Sequence, residues 1–188
     1  MQTETNHEAV LDEAVLLHMV CGKIAAGKSA LTATLASAGR TVLISEDIWL
    51  SRLYPGEIVS IEDYVRCSTR IREVVAEHAC SVLRAGVSVV LDFPFNTVAS
   101  RAWGHALSRT AGCGHRLHHL DASDEVCKAR LRIRNAQGTH PFQASEADFE
   151  QITRYFVPPD PAEKLHVVTY DEAGSVRHRS GNDIESST

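Results

Sequence analysis

The stretch Gly22-Lys23-Ile24-Ala25-Ala26-Gly27-Lys28-Ser29 constrains this chain more than any other. It has the pattern G-x-x-x-x-G-K-[ST], in which glycines let the backbone curl so that its N–H groups point at phosphate oxygens. Lys28 supplies a point charge near the β- and γ-phosphates, and Ser29 offers a hydroxyl to Mg²⁺. Ala30 carries the loop into a helix whose positive N-terminal end adds to the cradle. A chain of this length meets the pattern by chance roughly one time in a hundred or less. The context also fits: an apolar strand, Val15–Cys21, precedes the loop and a small-residue helix, Ser29–Ala38, follows it, with Gly39 as its expected stop.

The rest of the chain repeats that alternation. Strands are expected at Thr41–Ser45, Val87–Leu91, Arg116–Leu120 and Leu165–Tyr170, five in all with the first. Between them lie helical patterns. Ile61, Tyr64, Ser68, Ile71, Val75, Ala79 and Val82 recur every three or four residues, which predicts a helix over 60–85 opened by Ser60 and Asp63 and closed by Gly86. Further helices are expected at 97–110 with Asn96 as cap, at 123–135 with Ser123 as cap, and at 145–154. Strands alternating with helices predict an α/β fold: a parallel sheet covered on both faces. Ligands in such sheets collect beyond the carboxyl ends of the strands, so chemistry belongs to the residues that follow each strand.

Those residues are polar. Strand two ends in Ser45-Glu46-Asp47, and Asp47 is the better candidate to take a proton from an attacking hydroxyl or to hold Mg²⁺. Strand three ends in Asp92, the expected Mg²⁺ acid. Arg130 and Arg134 share one face of the helix from Ser123, beside an expected buried stripe of Val126, Ala129 and Ile133. That helix runs into the polar loop Asn135–Pro141, and 134–145 is expected to be a lid whose arginines neutralise charge on a transferred phosphoryl group. Trp49, Arg52 and Tyr54, with Asn96 and Arg101, are candidates for the acceptor pocket. His115, His118 and His119 lack Cys or carboxylate neighbours at zinc spacing and read as strand-packing residues. The five cysteines form no Cys-x-x-Cys pair and read as reduced thiols in a cytosol.

Charge narrows the partners. Lys plus Arg is 19 and Asp plus Glu is 24, a net charge of −5, which argues against a duplex nucleic-acid binder. No apolar run approaches the length of a membrane span, and the acidic start is not a secretory signal. Residues 1–12 and 171–188 are too polar to bury much surface and are expected to be flexible tails around one domain, 13–170.

Gly22–Ser29, Ser45–Tyr54, Leu91–Thr97 and Cys127–Asn135 together resemble the P-loop kinase group around polynucleotide kinase, zeta toxin, chloramphenicol phosphotransferase and gluconate kinase. More closely, the chain resembles bacterial "AAA family ATPase" proteins of this kinase-like type. The resemblance spans roughly residues 14 to 170. It implies a three-layer P-loop NTPase fold with strand order 2-3-1-4-5, and ATP and Mg²⁺ as cofactors. It puts Lys28 and Ser29 on the phosphates and metal, Asp47 in the place of the general base, and Arg130 and Arg134 among the lid arginines. The polynucleotide-kinase pattern has an arginine three residues after that acid, where this chain has Leu50, with Arg52 out of register.

The expected activity is transfer of the γ-phosphoryl of ATP to a hydroxyl of a small molecule, antibiotics being one use the resemblance implies. A nucleotide or polynucleotide 5′-hydroxyl kinase and an ATP-binding regulator of toxin-like type are the alternatives.

Overall fold

A computed structural model describes residues 14–138 and 144–180. The elements run β1 (Leu16–Cys21), α1 (Lys28–Ala36), β2 (Thr41–Ser45), α2 (Glu46–Leu53), α3 (Ile61–Arg84), β3 (Ser88–Pro94), α4 (Val98–Ala111), β4 (Gly114–Leu120), α5 (Asp124–Gln137), α6 (Glu146–Thr153), β5 (Val167–Tyr170) and β6 (Val176–Ser180). One sheet carries all strands in the order β2-β3-β1-β4-β5-β6. The first five are parallel in the expected order, and β6 pairs antiparallel with β5. Residues 171–180 therefore make a turn and a sixth strand where polarity alone suggested a tail. The outermost strand needs no buried face, so its exposed, charged residues carry no apolar signal.

Most helices begin where capping chemistry allows. Ser60 accepts from the Asp63 N–H at the start of α3, and Ser145 forms a reciprocal capping box with Asp148. Thr97, not Asn96, caps α4. α1 stops early, with Ser37 as C-cap, and Arg40 rather than Gly39 takes the left-handed conformation before β2. β3 runs three residues past its apolar core to Pro94, so Asp92 lies within the strand, opposite Ser45.

The larger core sits between one face of the sheet and the long helices α3 and α4. Leu17, Met19, Val89, Leu91 and Leu117 from the sheet meet Ile71, Val75, Ala79 and Leu107 from the helices. A smaller core of Ala26, Leu120, Ala122, Cys127, Leu131 and Phe149 packs α5 and α6 against the loop after β1. Cys21, Cys67, Cys80 and Cys127 are buried as small apolar groups. His118 is buried too, hydrogen-bonded to His18 at 3.0 Å and to Tyr170 at 2.8 Å. Among the described residues no helix is long and apolar enough to cross a membrane.

Gly104 is where α4 comes closest to the sheet. A Cβ there would sit 2.3 Å from Met19 Sδ and 2.7 Å from the Phe95 ring, both fully enclosed. Gly104→Ala gains helix propensity, but overpacking of this kind costs about 1–3 kcal/mol. The net expectation is a lower denaturation midpoint in urea; an unchanged or higher midpoint would mean that Met19 and Phe95 yield to the added methyl group.

Candidate active site

The loop between β1 and α1 is built for anions. Gly22 (φ +150°), Ala25 (φ +58°) and Gly27 (φ +112°) give it a left-handed curl. A side chain at Gly22 would also press on the Leu120 carbonyl oxygen at 3.0 Å, so the position requires glycine. Gly27 is the N-cap of α1 and no side chain caps that helix, which leaves its first-turn N–H groups for a ligand. Lys28 folds back over the loop, its Nζ donating to Gly22 O at 2.7 Å and Lys23 O at 2.8 Å. Burial pulls the Lys28 ammonium below its usual range, while Asp92 and Asp47 oppose that shift. A desolvated ammonium held only by carbonyls and nearby acids fits a phosphate.

Asp47, in the first turn of α2, and Asp92, on β3, both act electrostatically on Lys28. Burial and the Asp47 charge push the Asp92 carboxyl up; Lys28 and the hydroxyls of Ser29 and Ser45 act against this. A carboxylate pushed up by a neighbouring acid, with a serine hydroxyl bonded to it, fits a divalent cation that would offset the negative charge. Ser29 and Asp92 would hold it.

From the other side, α5 contributes its arginines. The expected stripe is corrected here: Ala129 and Ile133 are exposed and Val126 half-buried, whereas Cys127 and Leu131 are the residues that face inward. The helix is turned so that Arg130 and Arg134, each three residues from one of these, lie at the inner border. Arg130 donates to the Ala26 carbonyl of the loop at 3.1 Å and to the Glu172 carbonyl at 2.6 Å. Arg134 is half-buried, and among the described residues its Nε has no hydrogen-bond partner. Burial lowers its guanidinium and the Asp47 charge acts against this, which puts the two groups within electrostatic reach of each other. Lys23 ties the loop to α5, donating to the Ala122 carbonyl at 3.2 Å and pairing with Asp124. Of the expected lid, 139–143 lie outside the described residues; its flanks are joined by Asn135, whose Nδ2 donates to the Ala144 carbonyl at 2.8 Å.

The expected acceptor residues separate. Arg101 does not reach the site: it is fully buried, bonded to Glu163 and to the carbonyls of Phe95, Val157 and Pro158. Asn96 does reach it, but as a brace, its Oδ1 accepting from the Gly22 N–H at 2.9 Å. Trp49 and Tyr54 pack half-buried against the main core, and Arg52 is exposed on α2. Glu46, passed over in favour of Asp47, is buried and accepts from Tyr64 at 2.8 Å and Ser68 at 2.5 Å, with Arg72 at 3.5 Å. It pins α2 to α3 and so orients Asp47. Adjacent acids in one helical turn offer no sequence signal for which points inward. Ser45, bonded to Asp92, was equally unmarked.

A model of the AAA_33 family, an AAA domain, matches residues 17–159. The chain belongs to the AAA_33 family. Among solved structures it is similar to a "putative kinase" from Chloroflexus aurantiacus J-10-fl, at 25% identity and a TM-score of 0.67 over 85% of this chain and 86% of that one. It also shares its fold with the PezAT toxin–antitoxin system of Streptococcus pneumoniae, at 15% identity and TM-score 0.67, covering 90% and 73%. Kti12 of Chaetomium thermophilum in complex with ADP-AlF3 matches at 16% identity and TM-score 0.60, covering 82% and 89%. No curated protein matches. This AAA_33 chain thus has the P-loop kinase-like fold, extended by β6.

Proposed function

We propose that the protein is an ATP- and Mg²⁺-dependent phosphotransferase acting on a hydroxyl of a small molecule. The observation that carries this reading is the convergence of Lys28, Asp47, Asp92 and Arg134 at one end of the sheet. A loop, an acid at the start of α2, an acid within β3 and an arginine helix supply binding, proton acceptance and charge neutralisation from separate elements. The similar Chloroflexus protein described as a "putative kinase" supports it.

The residues divide the work. The loop N–H groups and Lys28 hold the β- and γ-phosphates. A bound Mg²⁺ on Ser29 and Asp92 would neutralise charge on the phosphate oxygens. Asp47 receives the proton of the acceptor hydroxyl as that oxygen bonds to the γ-phosphorus. The bond from γ-phosphorus to the β–γ bridging oxygen breaks, and ADP leaves with the electron pair. Arg134 and Arg130 offset negative charge on the phosphoryl group in transit. The net charge of −5 and the absence of an arginine at position 50 favour an uncharged acceptor over a nucleic-acid end.

Lys28→Ala tests the nucleotide site. Losing one charge-assisted contact of about 1.5–3 kcal/mol should weaken ATP–Mg²⁺ binding by about ten- to a hundred-fold in calorimetry, with the far-ultraviolet spectrum unchanged. Undiminished affinity would refute the assignment. A labelled-ATP screen across hydroxyl compounds, aminoglycosides and oligonucleotides then identifies the acceptor class.

A further inference from the structure

A second cavity, of about 570 Å³, opens at the opposite end of the sheet, where the parallel strands begin. The starts of β1, β4 and β5, the end of β6 and the last turns of α4 all line it. Arg109, Arg116, Arg179, His105, His115 and His166 reach it, and among the described residues no carboxylate does. Among the described residues none of the three arginines makes an ion pair.

Among the described residues no acidic group offsets the positive charge there. Arg116 and Arg179 add to burial and His18 in pushing the His118 ring down to about 3. Burial, with help from Arg116, pushes His18 down to about 4. His115, also pushed down to about 4 by burial and then by His105 and His166, is neutral at pH 7, and the three guanidinium groups are charged. Its Nε2 accepts from the His166 N–H at 3.3 Å, which places the ring proton on Nδ1 as a donor.

We propose that this cavity is a second anion site, distinct from the phosphate loop, taking a compact ligand with two or more phosphate groups. Like charges facing one space repel each other, and an anion between them removes that cost. Guanidinium forks match phosphate oxygens in pairs. The volume falls within the span of small-ligand pockets, about 300–1,000 Å³.

Inorganic tripolyphosphate titrated calorimetrically into Lys28→Ala protein tests the site with the phosphate loop disabled. One binding event should remain. Combining Arg116→Ala with Arg179→Ala should weaken it by about tenfold or more. Arg66→Ala with Arg70→Ala, exposed on α3, should leave it unchanged. Arg109→Gln, at an exposed position on α4, provides a variant that keeps the fold and should also weaken binding. No binding to Lys28→Ala protein, or equal weakening by the α3 pair, would overturn the proposal. The phosphate-loop reading is judged separately, by ATP affinity.

Discussion

Asp47→Asn should lower turnover by about a hundred- to ten-thousand-fold while leaving ATP affinity near wild type, the range usual for loss of a positioned base. Asp47 is held at the start of α2 by the bonding of its neighbour Glu46 to α3, and its charge is felt at Arg134. Asparagine preserves the shape and can still orient the acceptor, but it cannot take the proton. Because phosphoryl transfer passes through a loose state, proton removal comes late and positioning carries part of the effect. Asp92→Asn should behave differently: turnover recovers as Mg²⁺ is raised, because the change falls on the metal acid. Slow ATP hydrolysis, with water as acceptor, allows both measurements before the natural acceptor is known. Normal turnover by Asp47→Asn together with an Asp92→Asn variant dead at saturating Mg²⁺ would exchange the two roles.

Arg101→Ala should be among the most destabilising single substitutions in the protein, by about 3–5 kcal/mol, the cost of breaking a buried pair. Arg101 is 0% exposed, and its partner Glu163 keeps 12% side-chain exposure. Alanine strands that carboxylate and leaves the carbonyls of Phe95, Val157 and Pro158 without their shared donor. For a domain of this size the loss corresponds to a Tm lower by about 6–20 °C. The pH dependence has a definite sign. Burial raises the Glu163 carboxyl, but its bonds to Arg101 and to the Asp160 N–H outweigh this and hold it below its usual range. The pair's contribution is therefore present above the ordinary glutamate range and is lost as pH falls through the lowered value. The gap between wild type and Arg101→Ala should narrow in acid. A constant gap from neutral to acid pH would show that lost packing, not the ion pair, is responsible.

The residues that declared themselves in the sequence are those whose role is local. The phosphate loop, the cap at Ser60 and the apolar run of β3 depend on neighbours a few positions away. What stayed hidden depends on residues far along the chain. Arg101 and Glu163 are 62 positions apart, and nothing in either segment marks the pairing. Asn96 looks like a helix cap because it precedes one, yet its side chain turns 74 positions back to Gly22. Two stripes compete on α5: Val126, Ala129 and Ile133 make three apolar positions against Leu131 and Cys127, yet a thiol buries as readily as valine and the second stripe is the one turned inward. β6 went unread because an edge strand can be polar on both sides.

The Asn96–Gly22 bond has a consequence for how the site responds to its ligand. It joins the segment just past Asp92 directly to the first residue of the phosphate loop. Any shift of that loop when Lys28 lets go of its own carbonyls pulls on the end of β3, and so on the acid that would hold the metal. On the proposed function, nucleotide and metal would engage one mechanical unit, in which either ligand arriving first readies the ground for the other.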